Sequence, residues 1–218
     1  MEIAPNVHRL TGFIANQYLI ISNNELTLID AGLPGNHKRI LAYIGKIGFE
    51  PTLLKRILLT HADGDHSAAV GDLKTATQAT VYASQAEAQA IRAGISSRPL
   101  KPRGLQKPLY ALSKRIIPTL PNPVDEILVP NQVLPILEGL KVLDTAGHTP
   151  GHLSFYLPDN GILFAGDSIW NSRSGPTAYT TTANTWNTEL AKASFEKQMA
   201  LKPKMIAAGH FCSVGEYT

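Results

Sequence analysis

Four side chains able to bind a cation lie within six residues of Thr60-His61-Ala62-Asp63-Gly64-Asp65-His66, directly after an apolar, β-branched run ending at Leu59. Two imidazoles and two carboxylates crowded into one turn are costly to hold together unless a cation collects them. Imidazole suits zinc and iron, and carboxylate adds harder character. Three further candidates stand at the ends of hydrophobic runs downstream: His148 in Gly147-His148-Thr149-Pro150-Gly151-His152, Asp167 in Phe164-Ala165-Gly166-Asp167, and His210 in Ala208-Gly209-His210. Such a set could hold more than one ion and activate a water molecule, with no need for a serine or cysteine nucleophile.

These residues need strands to deliver them. Short alternating runs predict strands over Val7 to Thr11, Gln17 to Ser22 and Glu25 to Asp30, with Asn23-Asn24 as the turn between the last two. Ile40, Leu41, Ile44 and Ile47 have helical spacing within Asn36 to Ile47, and Gly48 is placed as a stop. A strand over Lys55 to Leu59 delivers His61, and a helical pattern runs from His66 to about Thr75. A strand over Thr80 to Ala83 follows, then an alanine-rich helix opening at Ser84, with Glu87 at capping-box spacing. The second half repeats the rhythm. It has strands near Glu126 to Val129, Leu140 to Asp144, Leu153 to Leu157 and Ile162 to Ala165, a helix over Thr188 to Leu201 and a last strand over Met205 to Ala208. Periodicity alone reaches an α/β chain with two sets of strands and flanking helices.

The order and context of the motifs resemble the metallo-β-lactamase superfamily from about Leu28 to His210. The resemblance implies a four-layer αββα sandwich of two mixed sheets flanked by helices, with ligands on loops along one edge. It also implies that His61, Asp63 and His148 hold one divalent metal, that Asp65, His66 and His210 hold a second, and that Asp167 bridges them. Asp65 and Asp167 are then the carboxylates expected to serve catalysis, and Asp30 orients the ligand loops by hydrogen bonding. The metals implied are zinc or iron, with manganese also compatible, and the reaction is hydrolysis of an ester, thioester or lactone by a hydroxide activated between the two ions. This sequence departs at Asp63, where the family usually has histidine, so the alternative is that Asp63 lies outside the ligand set. As a ligand it adds a third carboxylate, which lowers the site's charge by one and favours iron or manganese. The glyoxalase II and lactonase-like branches are the nearer resemblance, although the lactonase branch carries a tyrosine where Trp170 stands. Two other readings stay open. One is an iron redox protein resembling the flavodiiron metal domain, disfavoured because the chain ends eight residues after His210. The other is a non-catalytic metal-binding module.

Composition bounds the rest. With 218 residues, 44% of them hydrophobic, one large α/β domain over 1–218 is favoured over two small ones. A net charge of +3 is too small to argue for nucleic acid, and no apolar run approaches the length of a membrane span. The one cysteine, Cys212, excludes an internal disulfide and reads as a small buried residue. With no export signal at the N-terminus, a cytoplasmic setting is expected. Residues 91–123 form a proline-rich excursion without an acid. Its seven basic residues, Arg92, Arg98, Lys101, Arg103, Lys107, Lys114 and Arg115, suit a solvated connection, a dimer contact, or a lid drawing an anionic small-molecule substrate to the site. His152 reads as a support for His148. The polar stretch from Trp170 to Trp186 reads as a loop or a pocket wall.

Overall fold

The computed structural model describes residues 1–12, 14–98, 112, 117–172, 175–178, 184–210 and 215–216. Seven strands form the first sheet: β1 (Glu2–Ala4), β2 (Val7–Thr11), β3 (Asn16–Ser22), β4 (Glu25–Ile29), β5 (Leu54–Leu58), β6 (Thr80–Ser84) and β7 (Glu126–Leu128). They lie in chain order, antiparallel from β1 to β4 and parallel from β4 to β7. The second sheet runs in the order β15 (Gly215–Glu216), β14 (Met205–Ala208), β11 (Ile162–Gly166), β10 (Leu153–Leu157), β9 (Leu140–Asp144) and β8 (Val133–Leu134). A separate hairpin pairs β12 (Ile169–Ser172) with β13 (Gly175–Ala178). The described helices are α1 (Asn36–Lys46), α2 (Gly64–Ser67), α3 (Val70–Thr77), α4 (Gln85–Ala93) and α5 (Thr188–Met199).

Alternation along the strands makes the layers. Leu19, Leu28 and Ile57 turn toward Ile40 and Ile44 of α1, Leu73 of α3 and Ile91 of α4. Their neighbours Ile20, Ile29 and Leu58 turn the other way, onto Phe155, Phe164 and Val142 of the second sheet. Tyr156, Leu163 and Ile206 then face Phe195 and Met199 of α5. A period of two thus gives each central strand two buried faces, and the result is a four-layer αββα sandwich. No described helix is long and apolar enough to cross a membrane.

Two expectations need adjusting. The helical pattern over His66 to Thr75 is two helices, because the N–H groups of Ala31 and Gly32 donate to the His66 carbonyl (2.7 and 3.1 Å). That carbonyl leaves the helical ladder, and Ala69 N–H turns instead to the Gly32 carbonyl (3.1 Å). The stretch from Trp170 begins with the β12–β13 hairpin rather than a loop, while Tyr179 and residues 180–183 lie outside the described residues, as do Phe211 and Cys212. Arg92, in the last turn of α4, donates to the Val124 carbonyl (Nη2 2.6 Å). Of the other basic residues named in the excursion, only Arg98 is described. The far end of the excursion is fastened by Asn122, which accepts from Gly71 N–H (2.8 Å) and donates to the Ser67 carbonyl (3.1 Å).

Candidate metal centre

Parallel strands in both sheets end at one edge, where ligands characteristically sit in α/β sheets. There β4 gives way to Asp30, β5 to Thr60 and His61, β11 to Asp167 and β14 to His210, while the turn from β9 to β10 carries His148. Asp63 stands at the N-cap of α2. Its side chain makes no capping hydrogen bond, the usual role of aspartate there, and is left to face the cluster.

The structure brings all seven candidate residues together. His61 Nε2 and His148 Nε2 lie 3.5 and 3.4 Å from Asp63 Oδ2. On the other side, Asp65 Oδ2 lies 3.4 Å from His210 Nε2 and 3.9 Å from His66 Nε2. Asp167 reaches both groups, with Oδ1 3.3 Å from His66 Nε2 and Oδ2 3.1 Å from His210 Nε2 and 3.5 Å from His148 Nε2. Donor atoms of His61, Asp63 and His148 all fall within 4.8 Å of one another, and so do those of Asp65, His66 and His210. His61 Nε2 and Asp167 Oδ1 are buried with no hydrogen-bond partner among the described residues, a costly arrangement for polar atoms that a cation would relieve. The donor set of imidazole nitrogens and carboxylate oxygens fits zinc or iron.

A second layer of hydrogen bonds aims these rings. Asp30, in a left-handed conformation (φ 59°), accepts from His66 Nδ1 (2.8 Å) and from the Thr60 hydroxyl and amide (2.9 Å each). Thr60 Oγ1 in turn accepts from His61 Nδ1 (2.9 Å), and His210 Nδ1 donates to the Ile14 carbonyl (3.0 Å). With each Nδ1 occupied, the Nε2 atoms are directed into the cluster. His152 differs from the expectation that it supports His148. Its Nε2 accepts from Asp167 N–H (3.0 Å) and its Nδ1 donates to Thr145 Oγ1 (2.8 Å), so it holds the backbone of Asp167.

Charge follows position. Burial opposes a proton on His66, yet Asp167, Asp30 and Asp65 raise it well above its ordinary value. His210 is raised despite burial, chiefly by Asp167. Burial pushes His148 down to about 4, against the pull of Asp63 and Asp167. Burial also works against ionisation of Asp167 and Asp63. His210 and His66 nonetheless keep Asp167 ionised far below the usual range, and Arg98 with His148 does the same for Asp63.

Two residues in this layer have roles at the site that the sequence did not disclose. Arg98 Nη2 pairs with Asp63 Oδ2 while its Nη1 donates to the Asn184 carbonyl. Counting carboxylates alone therefore understates the charge of the site by one, although the harder donor character of a carboxylate at position 63 is unchanged. The other is Glu87, whose carboxylate accepts from Ala62 N–H and Gly151 N–H (2.8 and 2.9 Å). The capping spacing marked Glu87, but nothing local marks its distant partners.

Gly209 shows how closely the layers meet. A Cβ there would lie 2.4 Å from Asp167 Oδ1 and 2.9 Å from His66 Cε1. Gly209→Ala is expected to displace both side chains and lower zinc affinity by about 10- to 100-fold, the effect typical of disturbed ligand supports. Competition against a chromogenic chelator measures it, and native affinity in the variant would show that the ligands tolerate the shift.

The family model for the metallo-beta-lactamase superfamily matches residues 10–210. Two proteins of Bacillus subtilis (strain 168) are similar along most of their length. The uncharacterized protein YobT is 35% identical over 210 residues, covering 91% of this chain and 83% of that protein. The probable metallo-hydrolase YflN is 30% identical over 232 residues, covering 96% and 85%. The hydroxyacylglutathione hydrolase of Fuscovulum blasticum is 31% identical over 159 residues, which are 72% of this chain and 48% of that enzyme. Among solved structures, the protein TTHA1623 in a di-iron-bound form superposes with a TM-score of 0.72 at 25% identity, covering 96% of this chain and 93% of that one.

Proposed function

This chain belongs to the metallo-β-lactamase superfamily, and from that premise we propose that it is a hydrolase using two divalent cations to cleave an ester, thioester or lactone. One observation carries the reading: Asp167 lies within 3.5 Å of histidines from both donor groups. His61, Asp63 and His148 would hold one cation and Asp65, His66 and His210 the other, with Asp167 shared. Cations there would supply Lewis acidity, easing ionisation of water and polarising a substrate carbonyl. Asp65 and Asp167 are the carboxylates we assign to catalysis, each beside histidines of the cluster.

The name of YflN supports metal-dependent hydrolysis, that of the hydroxyacylglutathione hydrolase supports an acyl substrate, and the di-iron form of TTHA1623 supports iron beside zinc. We read 1–218 as one such domain, cytoplasmic and acting on a small molecule. The excursion at 91–123 is the part whose charge would favour an anionic substrate or a second copy of the chain. Elemental analysis of protein purified without chelator, paired with ester, thioester, lactone and phosphodiester substrates, tests the proposal. Metal-dependent turnover of a carbonyl substrate is expected. Protein that neither carries nor takes up metal, or that cleaves phosphodiesters alone, would overturn it.

A further inference from the structure

The Arg98 side chain is almost fully buried (8% exposed) beside a carboxylate that faces two imidazoles. Burying a guanidinium is costly unless it is paired, and here the pairing is specific. Nη2 meets Asp63 Oδ2, Nη1 meets the Asn184 carbonyl, and Nε finds no acceptor among the described residues. The Asn184 contact fixes the guanidinium from the side of the segment that leads to Trp186, whose N–H donates to the His148 carbonyl (3.0 Å). Arg98 thus pairs with the Asp63 side chain and holds the segment whose Trp186 N–H bonds the His148 backbone.

The arithmetic of charge gives this contact a meaning. Asp63, Asp65 and Asp167 bring three negative charges to the cluster, and Arg98 removes one of them. The net value is the one a neutral histidine at position 63 would produce without Arg98. We propose, building on the two-cation reading above, that Asp63 and Arg98 act as one neutral unit in the place of a neutral ligand. Arg98 is then the positioning residue that sets the charge of the cation position shared by His61, Asp63 and His148. Charge at this range acts strongly, because buried groups are little screened by solvent ions.

The consequence is that position 63 cannot be changed alone. Asp63→His leaves Arg98 as an uncompensated buried cation facing the metal position, and the affinity for the weaker-bound zinc should fall by about 100-fold. Arg98→Met in the native background removes a repelling charge, so that zinc should bind about tenfold more tightly. Asp63→His combined with Arg98→Met should return to within about threefold of the native affinity, although each of its parts taken alone perturbs binding. Zinc stoichiometry and chelator competition on each folded protein, checked by circular dichroism, give the readout independently of hydrolysis.

A purely structural arginine predicts the opposite order, with the double variant at or below Asp63→His, and that result overturns the proposal. If Asp63→His does not fold, Arg98→Met against Arg98→Lys decides. Tighter zinc in the first with native-like zinc in the second supports charge compensation, and weaker zinc in Arg98→Met overturns it. A native protein that binds no zinc, iron or manganese at all is distinct from these outcomes, because it removes the two-cation reading itself.

Discussion

Asp167→Ala is expected to reduce metal-dependent hydrolysis by about a thousandfold or more while leaving the protein folded, since a two-metal clamp supplies several kcal/mol of transition-state stabilisation. Asp63 faces His61 and His148, and Asp65 faces His66 and His210. Of the three, only Asp167 contacts histidines of both groups. Its loss also removes the main partner that raises His66 and His210, so two imidazoles of the site lose their strongest electrostatic anchor. Folding should survive, because the Asp167 N–H still donates to His152 Nε2 and the layers of the sandwich do not pass through this side chain. His152→Ala frees that N–H without removing the carboxylate, and a loss of about 10- to 100-fold is expected. Rate constants for the two variants at saturating metal, with circular dichroism of each, check the ranking. Equal losses in two folded proteins would mean that Asp167 works through its backbone position rather than its carboxylate.

What the sequence could disclose depended on how local each signal was. The strands Val7–Thr11, Leu140–Asp144, Leu153–Leu157 and Met205–Ala208 coincide with their apolar runs because alternation and burial are written in consecutive residues. Strands such as Glu2–Ala4 and Val133–Leu134 are too short for a pattern and exist through pairing with β2 and β9. The α2–α3 break is likewise invisible locally, because the groups that take the His66 carbonyl come from Ala31 and Gly32, more than thirty residues earlier. The same division holds in the site. His61, Asp63, Asp65 and His66 are adjacent in the chain, and His148, Asp167 and His210 each end a hydrophobic run. Arg98 lies in a basic stretch whose composition suggests solvent exposure, and its pairing with Asp63 arises only when the chain has folded.

Glu87 ties two ligand-bearing turns together, although its local spacing points elsewhere. The spacing Ser84-x-x-Glu87 reads as a capping box, and half of it forms, with Glu87 N–H donating to Ser84 Oγ (3.3 Å). The carboxylate does not turn back to the Ser84 amide. Oε2 accepts from Ala62 N–H and Oε1 from Gly151 N–H, so one buried side chain ties the turn bearing His61 and Asp63 to the turn bearing His148. Glu87→Ala would leave both amides without their acceptor, at about 1–3 kcal/mol each, and a total loss of roughly 3–5 kcal/mol is expected. For a chain of this size that lowers the melting temperature by roughly 10 °C. Glu87→Gln keeps one oxygen but sets an amide NH2 against the second N–H, so it should recover only about half of the loss. Because the two turns come from different sheets, zinc affinity should fall in parallel with stability. Thermal unfolding of metal-free and zinc-loaded protein separates the effects. A metal-free Glu87→Ala protein within about 1 kcal/mol of native would show that water replaces the carboxylate at both amides, and that the two ligand turns are held by the sandwich alone.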